Sequence, residues 1–233
     1  MRLFFIAEKQ VMKSFILLYY NYAMNKIFDH FKTIFNSNGY RLYMIGGTSR
    51  DYLLNLDISD YDFVTDATPE EINKFLNVDM TFSKFGTVKI TFEKSKIDIV
   101  TFRKEGKYKD SRHPSYIKFV KNIKKDYRRR DFTINAIYID ENYNLIDPTG
   151  FGLYDLENKI LRTIGNPNKR FKEDPLRILR AERFVVEYNL KFEKRTKKAI
   201  NKNYFRINLL SKDKVEEEKR KLEKARGKNY EKQ

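Results

Sequence analysis

The sequence predicts an α+β fold: a small mixed sheet flanked by helices and followed by a helical segment. Three observations carry this expectation. Between residues 43 and 102, short apolar or alternating runs of strand length are separated by turn signals. Before them, Ile27, Phe28, Phe31, Ile34 and Phe35 recur at helical spacing. After residue 171, helix-period segments rich in Lys, Arg and Glu take over.

The stretch 43–68, YMIGGTSRDYLLNLDISDYDFVTDAT, organises the rest. Tyr43, Met44 and Ile45 read as a strand that breaks at Gly46-Gly47. A helix fits 49–54, then a turn, then a second strand carrying Asp60 and Asp62. Adjacent glycines let backbone N–H groups approach a ligand closely, and the helix start behind them favours an anion. On a strand, residues i and i+2 share a face, so Asp60 and Asp62 point the same way. Two parallel carboxylates repel unless a cation lies between them, and hard oxygen ligands suit Mg²⁺. A Gly-Gly turn and an acidic surface strand account for each half alone. Together, they point to metal-dependent phosphoryl or nucleotidyl transfer.

A chain of 233 residues accommodates one domain with an appendage or two small domains, and 41% hydrophobic and 15% aromatic residues mark it as globular. The formal charge of +16 draws polyanions, nucleic acid first among them. An acidic membrane surface competes as an explanation, but no extended amphipathic basic segment supports it. The absence of cysteine excludes disulfides and thiolate zinc sites and fits a reducing cytoplasm. Two histidines, His30 and His113, leave little for imidazole metal chemistry.

Residues 1–23 read as an N-terminal extension, either preceding a natural start at Met24 or forming an accessory helix. Their apolar run 15–20 is too short to span a membrane, and no small-residue cleavage site follows it. Thr68-Pro69-Glu70-Glu71 has the chemistry of a helix start, and the helix is expected to reach Leu76. Strands are expected over 80–82, 87–92 and 96–102. Asp98 faces away from Ile97 and Ile99, as an exposed strand residue or as a third acid of the metal cluster. Residues 104–119 form a polar loop, a plain connection or a gate near the nucleotide.

A helix is expected over 124–137, placing Asp131 and Asn135 on one face. Its Arg128, Arg129 and Arg130 are a generic basic patch or a counter-charge for a triphosphate. Residues 138–163 read as short strands and turns. A helix over 171–187 places Asp174 beside Arg177, as an ordinary ion pair or as a donor–acceptor pair matching the Watson–Crick edge of cytosine or adenine. Helices over 193–202 and 212–224 end the pattern, with fraying beyond Arg226. From residue 191 onward, 16 Lys and Arg face 7 Asp and Glu, so this end carries over half the net charge.

With these residues in view, the chain resembles the bacterial class II CCA-adding tRNA nucleotidyltransferases and the related bacterial poly(A) polymerases, of the polymerase-beta nucleotidyltransferase superfamily. The resemblance spans 24–224 and five motifs in family order: GGTSRD with DYDFVTDAT, RRDFTINA, DPTGFGLYDLENKILRTIG, EDPLRILRAERF and INLLSKDKVEEEKRKL. It implies a polymerase-beta-like head over 24–150 and a helical neck for nucleotide recognition over 151–226, with a tail at 227–233. It also implies that Asp60 and Asp62 hold Mg²⁺, with Asp98 as third catalytic acid. Gly46, Gly47 and Arg50 are then expected on the triphosphate, with Asp51 bracing the turn. Arg130, Asp131 and Asn135 belong to the nucleotide site, Asp174 and Arg177 choose the base, and Arg180 lies near the phosphates. The segment KYKDSRHP is similar to the family's flexible loop, tied to the switch toward ATP. The implied reaction adds CMP and AMP from CTP and ATP to the 3′ end of tRNA in the cytoplasm, with no membrane partner. Poly(A) addition to RNA, or an inactive RNA-binding remnant, are the alternatives. Ser49 stands where the family has Val, and Asp213-Lys214 where it has Glu-Arg. The family's helical body and tail domains, which grip tRNA, are expected to be absent.

Overall fold

The structure is a computed structural model that describes residues 25–106, 108 and 114–230. The extension over 1–23, the Met24 start, positions 107 and 109–113 of the polar loop, and the last three residues lie outside the described residues. Helix α1 (Lys26–Ser37) starts at Asn25, whose side chain accepts the Phe28 N–H at 3.0 Å. Phe28, Phe31 and Phe35 fall on one face and are buried, as their spacing predicts.

That face covers a six-stranded mixed sheet of order β3-β4-β2-β1-β7-β8. Its strands are β1 (Leu42–Met44), β2 (Asp60–Thr65), β3 (Thr87–Phe92), β4 (Ser95–Thr101), β7 (Tyr138–Ile139) and β8 (Leu145–Ile146). Only the β2–β4 pair is parallel. Phe63 anchors α1, with ring centroids 5.5 Å from Phe28 and 6.2 Å from Phe31. Tyr61 and Phe63 point toward α1, so Asp60, Asp62 and Val64 point to the opposite face. Val64 is covered there by Tyr43, Ile45, Phe102 and Tyr138, leaving the two carboxylates at the open end of the strand.

Several local expectations change for identifiable reasons. Helix α2 (Gly46–Leu53) begins at the first glycine rather than at Ser49. The helix starts at Thr68 as expected, with a reciprocal capping box to Glu71 in addition, but α3 (Pro69–Ile72) lasts one turn and gives way to turns before Leu76. No strand forms over 80–82, because the Asp79 carboxylate accepts both the Thr81 N–H and hydroxyl and bends the chain into a turn. The ends of the polar loop pair as a hairpin of β5 (Arg103–Glu105) and β6 (Ile117–Phe119).

The expected helix over 124–137 is broken into α4 (Ile123–Asp126), a 3₁₀ turn at Tyr127–Arg129, and a second 3₁₀ turn at Thr133–Asn135. Arg130 is extended between them (φ −69°, ψ 161°), and the Asp131 carboxylate takes the Phe132 N–H at 2.8 Å, in competition with helix bonding. Within 138–163 a helix, α5 (Gly152–Glu157), joins the expected strands, which include β9 (Ile160–Leu161).

The helix expected over 171–187 is two helices, α6 (Pro167–Glu173) and α7 (Leu176–Glu187). Pro175 pushes the residue before it out of the helical region, and Asp174 is extended at φ −149°, ψ 98°. After β10 (Lys191–Phe192), which pairs in parallel with β9, come α8 (Lys194–Asn203) and α9 (Lys212–Tyr230). Helix α9 therefore runs past Arg226 rather than fraying there.

Three apolar cores form among the described residues. One lies between α1 and the sheet; the second joins Phe132, Ile134 and Ile137 to α5–α8 through Leu156, Phe171, Ile178, Phe184 and Ile200; the third packs Tyr43, Ile45, Val64, Phe102 and Tyr138 on the other face of the sheet. The second core crosses position 150, where the sequence places a domain boundary. Among the described residues no helix is long and apolar enough to cross a membrane.

Because Phe63 is fully buried between the phenylalanines of α1, Phe63→Ala should cost about 3–5 kcal/mol of stability. Urea unfolding followed by circular dichroism measures this. The exposed Leu56→Ala control should stay within about 0.5 kcal/mol of the parent.

Candidate active site

The Gly-Gly turn and the acidic strand meet at one side chain. Asp62 Oδ2 accepts the Gly47 N–H at 3.1 Å, and the Asp62 backbone N–H donates to Thr48 Oγ1 at 2.6 Å. Gly46 has φ +64°, and a Cβ there would lie 2.9 Å from Asp62 Oδ2; one on Gly47 would lie 3.3 Å away. Both glycines are thus needed to let the start of α2 close on this carboxylate. The protein packed around Asp62 pushes its carboxyl above the usual carboxylate range. The Gly47 N–H and the charges of Arg130 and Arg50 oppose that rise, while Asp98 adds to it.

Asp60 and Asp62 are both exposed on the same face of β2. Asp98 lies opposite Asp62 in the parallel β2–β4 register, so all three acids share the face. Lys89 on β3, however, faces Asp98 in the antiparallel register and holds both its oxygens at 2.8 Å. Among the described residues no group of three His, Cys, Asp or Glu converges as a metal cluster. The donor set that remains is a pair of hard carboxylates, one of them oriented by a backbone N–H. That set fits Mg²⁺, which is commonly held by one or two carboxylates plus waters and substrate phosphates.

From this strand a polar relay runs to the helices. Arg50, 4% exposed, donates from Nη1 to Asn135 Oδ1 at 2.7 Å. Asn135 Nδ2 donates to Asp131 Oδ1 at 3.2 Å, and Arg180 of α7 grips Asp131 Oδ2 through Nε at 2.9 Å and Nη2 at 2.7 Å. Asp51 pairs with Arg50 at 3.0 Å, and Tyr188 accepts a hydrogen bond from Arg50 and lies 4.0 Å below its guanidinium. Burial alone raises the Asp131 carboxyl. The Arg180 charge, with hydrogen bonds from Arg180, Asn135 and the Phe132 N–H, outweighs it and holds the group well below the usual range. The i,i+4 relation of Asp131 and Asn135 therefore holds although the helix that suggested it does not form. Arg50, expected on the triphosphate, is enclosed by protein partners, whereas Arg180 keeps 34% of its side chain exposed.

Asp174 and Arg177 stand at the α6–α7 break, with Arg177 Nε 3.8 Å from Asp174 Oδ2. Arg177 is buried, and donates to the Arg170 carbonyl at 3.2 Å, to Tyr108 Oη at 3.3 Å and to the Arg129 carbonyl at 3.4 Å. The arginine triplet divides. Arg129 and Arg130 turn inward onto Asp126 at 2.9 and 3.1 Å, while Arg128 faces outward.

Asp126, fully buried, is the centre that sequence reasoning passed over. It also accepts the Tyr138 hydroxyl at 2.7 Å and the Arg103 N–H at 3.1 Å. Its signal was available as a single acid inside KKDYRRR. Thr48 and Tyr188, which orient Asp62 and Arg50, carry no comparable signal.

Comparison with known proteins follows the same lines. The poly A polymerase head domain model matches residues 42–162, just over half of the chain. A CCA-adding enzyme of Staphylococcus epidermidis is 38% identical over 202 residues, covering 85% of this chain and 50% of that protein. The crystal structure of the Bacillus stearothermophilus CCA-adding enzyme in complex with CTP superposes with a TM-score of 0.75 at 34% identity, over 83% of this chain and 47% of that one. A tRNA nucleotidyltransferase complexed with a primer tRNA and an incoming ATP analog gives 0.65 at 33% identity, over 81% and 54%. The chain spans about half the length of the relatives it matches. The expected fold, a polymerase-beta-like head of small mixed sheet and helices followed by further helices, is the one these structures share. A head-domain match over half of the chain and a relative 38% identical over 85% of it make the chain a member of the class II CCA-adding nucleotidyltransferase and poly(A) polymerase family.

Proposed function

We propose that this chain transfers nucleotides from CTP and ATP to an RNA 3′ end, that of tRNA first, and releases pyrophosphate. The observation that carries this reading is the seating of Asp62 on Gly46-Gly47, beside Asp60 on the same strand face. In the proposed step the RNA 3′-hydroxyl oxygen attacks the α-phosphorus. It loses its proton as the bond to the pyrophosphate leaving group breaks. Asp60 and Asp62 would hold Mg²⁺, which, when bound, would supply charge neutralisation for the triphosphate and acidify the attacking hydroxyl. The exposed Arg180, oriented by Asp131, meets the phosphates, while Arg50 and Asp51 fix the turn from below. Asp174 and Arg177 choose the base, with Arg177 held by backbone carbonyls on two sides. Residues up to about 150 supply the catalytic head and those to 226 the recognition neck. The lack of cysteine suits a reducing compartment, so we place the reaction in the cytoplasm.

The relatives' names supply the direction of this reading: one is a CCA-adding enzyme, one structure holds CTP, and another a primer tRNA with an ATP analog. The matching family model, named for poly A polymerase, keeps A-tail synthesis as the second reading. Purified protein with Mg²⁺, tRNA lacking its last three nucleotides, and labelled CTP or ATP separates them. Two CMP followed by one AMP support CCA addition, a long A-tail supports the polymerase, and no incorporation overturns both.

Asp60→Asn and Asp62→Asn should each lower incorporation by roughly 10³-fold or more with the fold intact, measured in single turnover. Arg177→Ala should relax discrimination against UTP and GTP by about 10–100-fold in kcat/KM; unchanged selectivity would remove the base-choosing role.

The lowered pKa of Asp131 has a definite sign. Its stabilisation is fully present above the unfolded value near ~4 and is lost as pH falls toward the folded one. The stability gap between the parent and Asp131→Asn should therefore be widest near neutral pH and close below about pH 4, in urea titrations at a series of pH values.

A further inference from the structure

A large groove, about 1480 Å³, opens between the β5–β6 hairpin, the Tyr127–Arg129 turn, the start of α5, α6 and the start of α8. None of the acids assigned to the catalytic cleft lines it. Its volume exceeds the roughly 300–1,000 Å³ of ordinary small-molecule pockets, which points to a polymer rather than a metabolite. Nine Lys and Arg side chains line it against three carboxylates. Glu105 is paired with Arg103 and Glu193 caps α8, while Glu173 pairs within the groove with Arg170 and Lys169, so the excess of positive charge rests on the remaining cations. Lys104, Lys125, Arg128 and Arg195 are exposed, and among the described residues none of them lies within ion-pair distance of a carboxylate.

Aromatic surface is interleaved with this charge. Tyr116 is 53% exposed on the hairpin side and Phe151 50% exposed across the groove, with the Arg162 guanidinium 4.6 Å over the Phe151 ring. Cations with no ion-pair partner among the described residues, beside half-exposed rings, are the recognition chemistry of a single nucleic acid strand, whose phosphates take the charge and whose bases stack. Exposed rings also serve protein and lipid interfaces, so the choice of an RNA strand among polyanions follows from the nucleotidyl-transfer reading. The groove also backs onto the base-choosing junction, since Arg129 lines it while its carbonyl accepts from Arg177.

We infer that this groove is a second RNA-contact surface, which holds the acceptor strand outside the catalytic cleft through phosphate contacts and stacking on Phe151 and Tyr116. The inference rests on the nucleotidyl-transfer reading for the identity of the strand, but its test does not need turnover. Fluorescence anisotropy of a labelled RNA hairpin with a single-stranded 3′ end, without nucleotide, reports binding directly. The parent should bind with a steep salt dependence. The double variant Lys125→Glu/Arg128→Glu should bind at least about tenfold more weakly, with the log–log salt slope reduced by about two, and Phe151→Ala about fivefold more weakly. Affinity for CTP, by equilibrium dialysis, should not change in any variant. If the parent fails to bind RNA, if the double variant binds as well as the parent, or if only anionic vesicles respond to the charge reversal, the groove assignment is overturned. RNA held through the groove without nucleotide addition would instead overturn the catalytic reading alone. Nucleotide addition with unaltered RNA affinity in the double variant would overturn the groove alone.

Discussion

The relay Arg50–Asn135–Asp131–Arg180 runs beside the second apolar core and ties the acidic strand to the later helices through polar contacts. Arg50 sits behind the strand that carries Asp60 and Asp62, and Arg180 projects from α7. Arg50, Asn135 and Asp131 are each less than 10% exposed, so two charges and an amide are removed from water at a cost that only close partners offset. Those partners are present: Asp51 and Tyr188 complete Arg50, and the Phe132 N–H completes Asp131. Deleting Arg180 would leave Asp131 buried without its counter-charge, a loss of about 3–5 kcal/mol in comparable buried pairs. An apolar contact of the same size could join the strand and the helices with less penalty, but it would not fix an angle. Charged hydrogen bonds are directional, and the exposed guanidinium of Arg180 is aimed through its pairing with Asp131.

At Asp62 the constraint is steric as well as electrostatic. The carboxylate fills the place where the glycine side chains would be, so the backbone N–H of Gly47 reaches it directly. Negative charge on this face is then unequally compensated. Asp98 has the Lys89 ammonium on both oxygens. Asp60 and Asp62 have no ion-pair partner of that kind among the described residues, and the rise in the Asp62 carboxyl includes repulsion from Asp98. A face built this way concentrates uncompensated negative charge at the pair, while that of Asp98 is met by Lys89.

How far the sequence could be read depended on whether the decisive contacts were local. The α1 stripe, the helix start at Thr68, the strand at 87–92 and the shared face of Asp60 and Asp62 follow from spacing or from short-range chemistry, and each was legible. The long helix over 124–137 was misread because its apolar and charged pattern is compatible with a helix, while a buried carboxylate distant from the solvent side breaks it. Pro175 falls inside the single helix expected over 171–187. Its effect on Asp174 splits that helix in two, and the split places Asp174 and Arg177 at a corner rather than along a smooth surface. Arg50 was legible as a site residue but not as a buried one, because nothing local announces that Tyr188, 138 positions away, will lie beneath it.

The same distinction explains how one short run, KKDYRRR, serves two electrostatic purposes. Asp126 draws Arg129 and Arg130 inward, and their charges are spent on a buried pair of contacts beside the Tyr138 hydroxyl. Arg130 remains close enough to oppose the rise in the Asp62 carboxyl, so this inner charge acts on the catalytic face through protein rather than through water. Lys125 and Arg128 stay outside, on the groove. Salt screens exposed charges over about 8–10 Å at physiological strength and buried ones much less. Ionic strength should therefore act on the outer pair and spare the inner one, so the geometry around Asp62 does not depend on it. A helix running straight through 124–137 would spread the three arginines around its axis and lose that division. The break at Arg130, an irregularity from the standpoint of helix propensity, separates a structural charge from a ligand-facing one within a few residues.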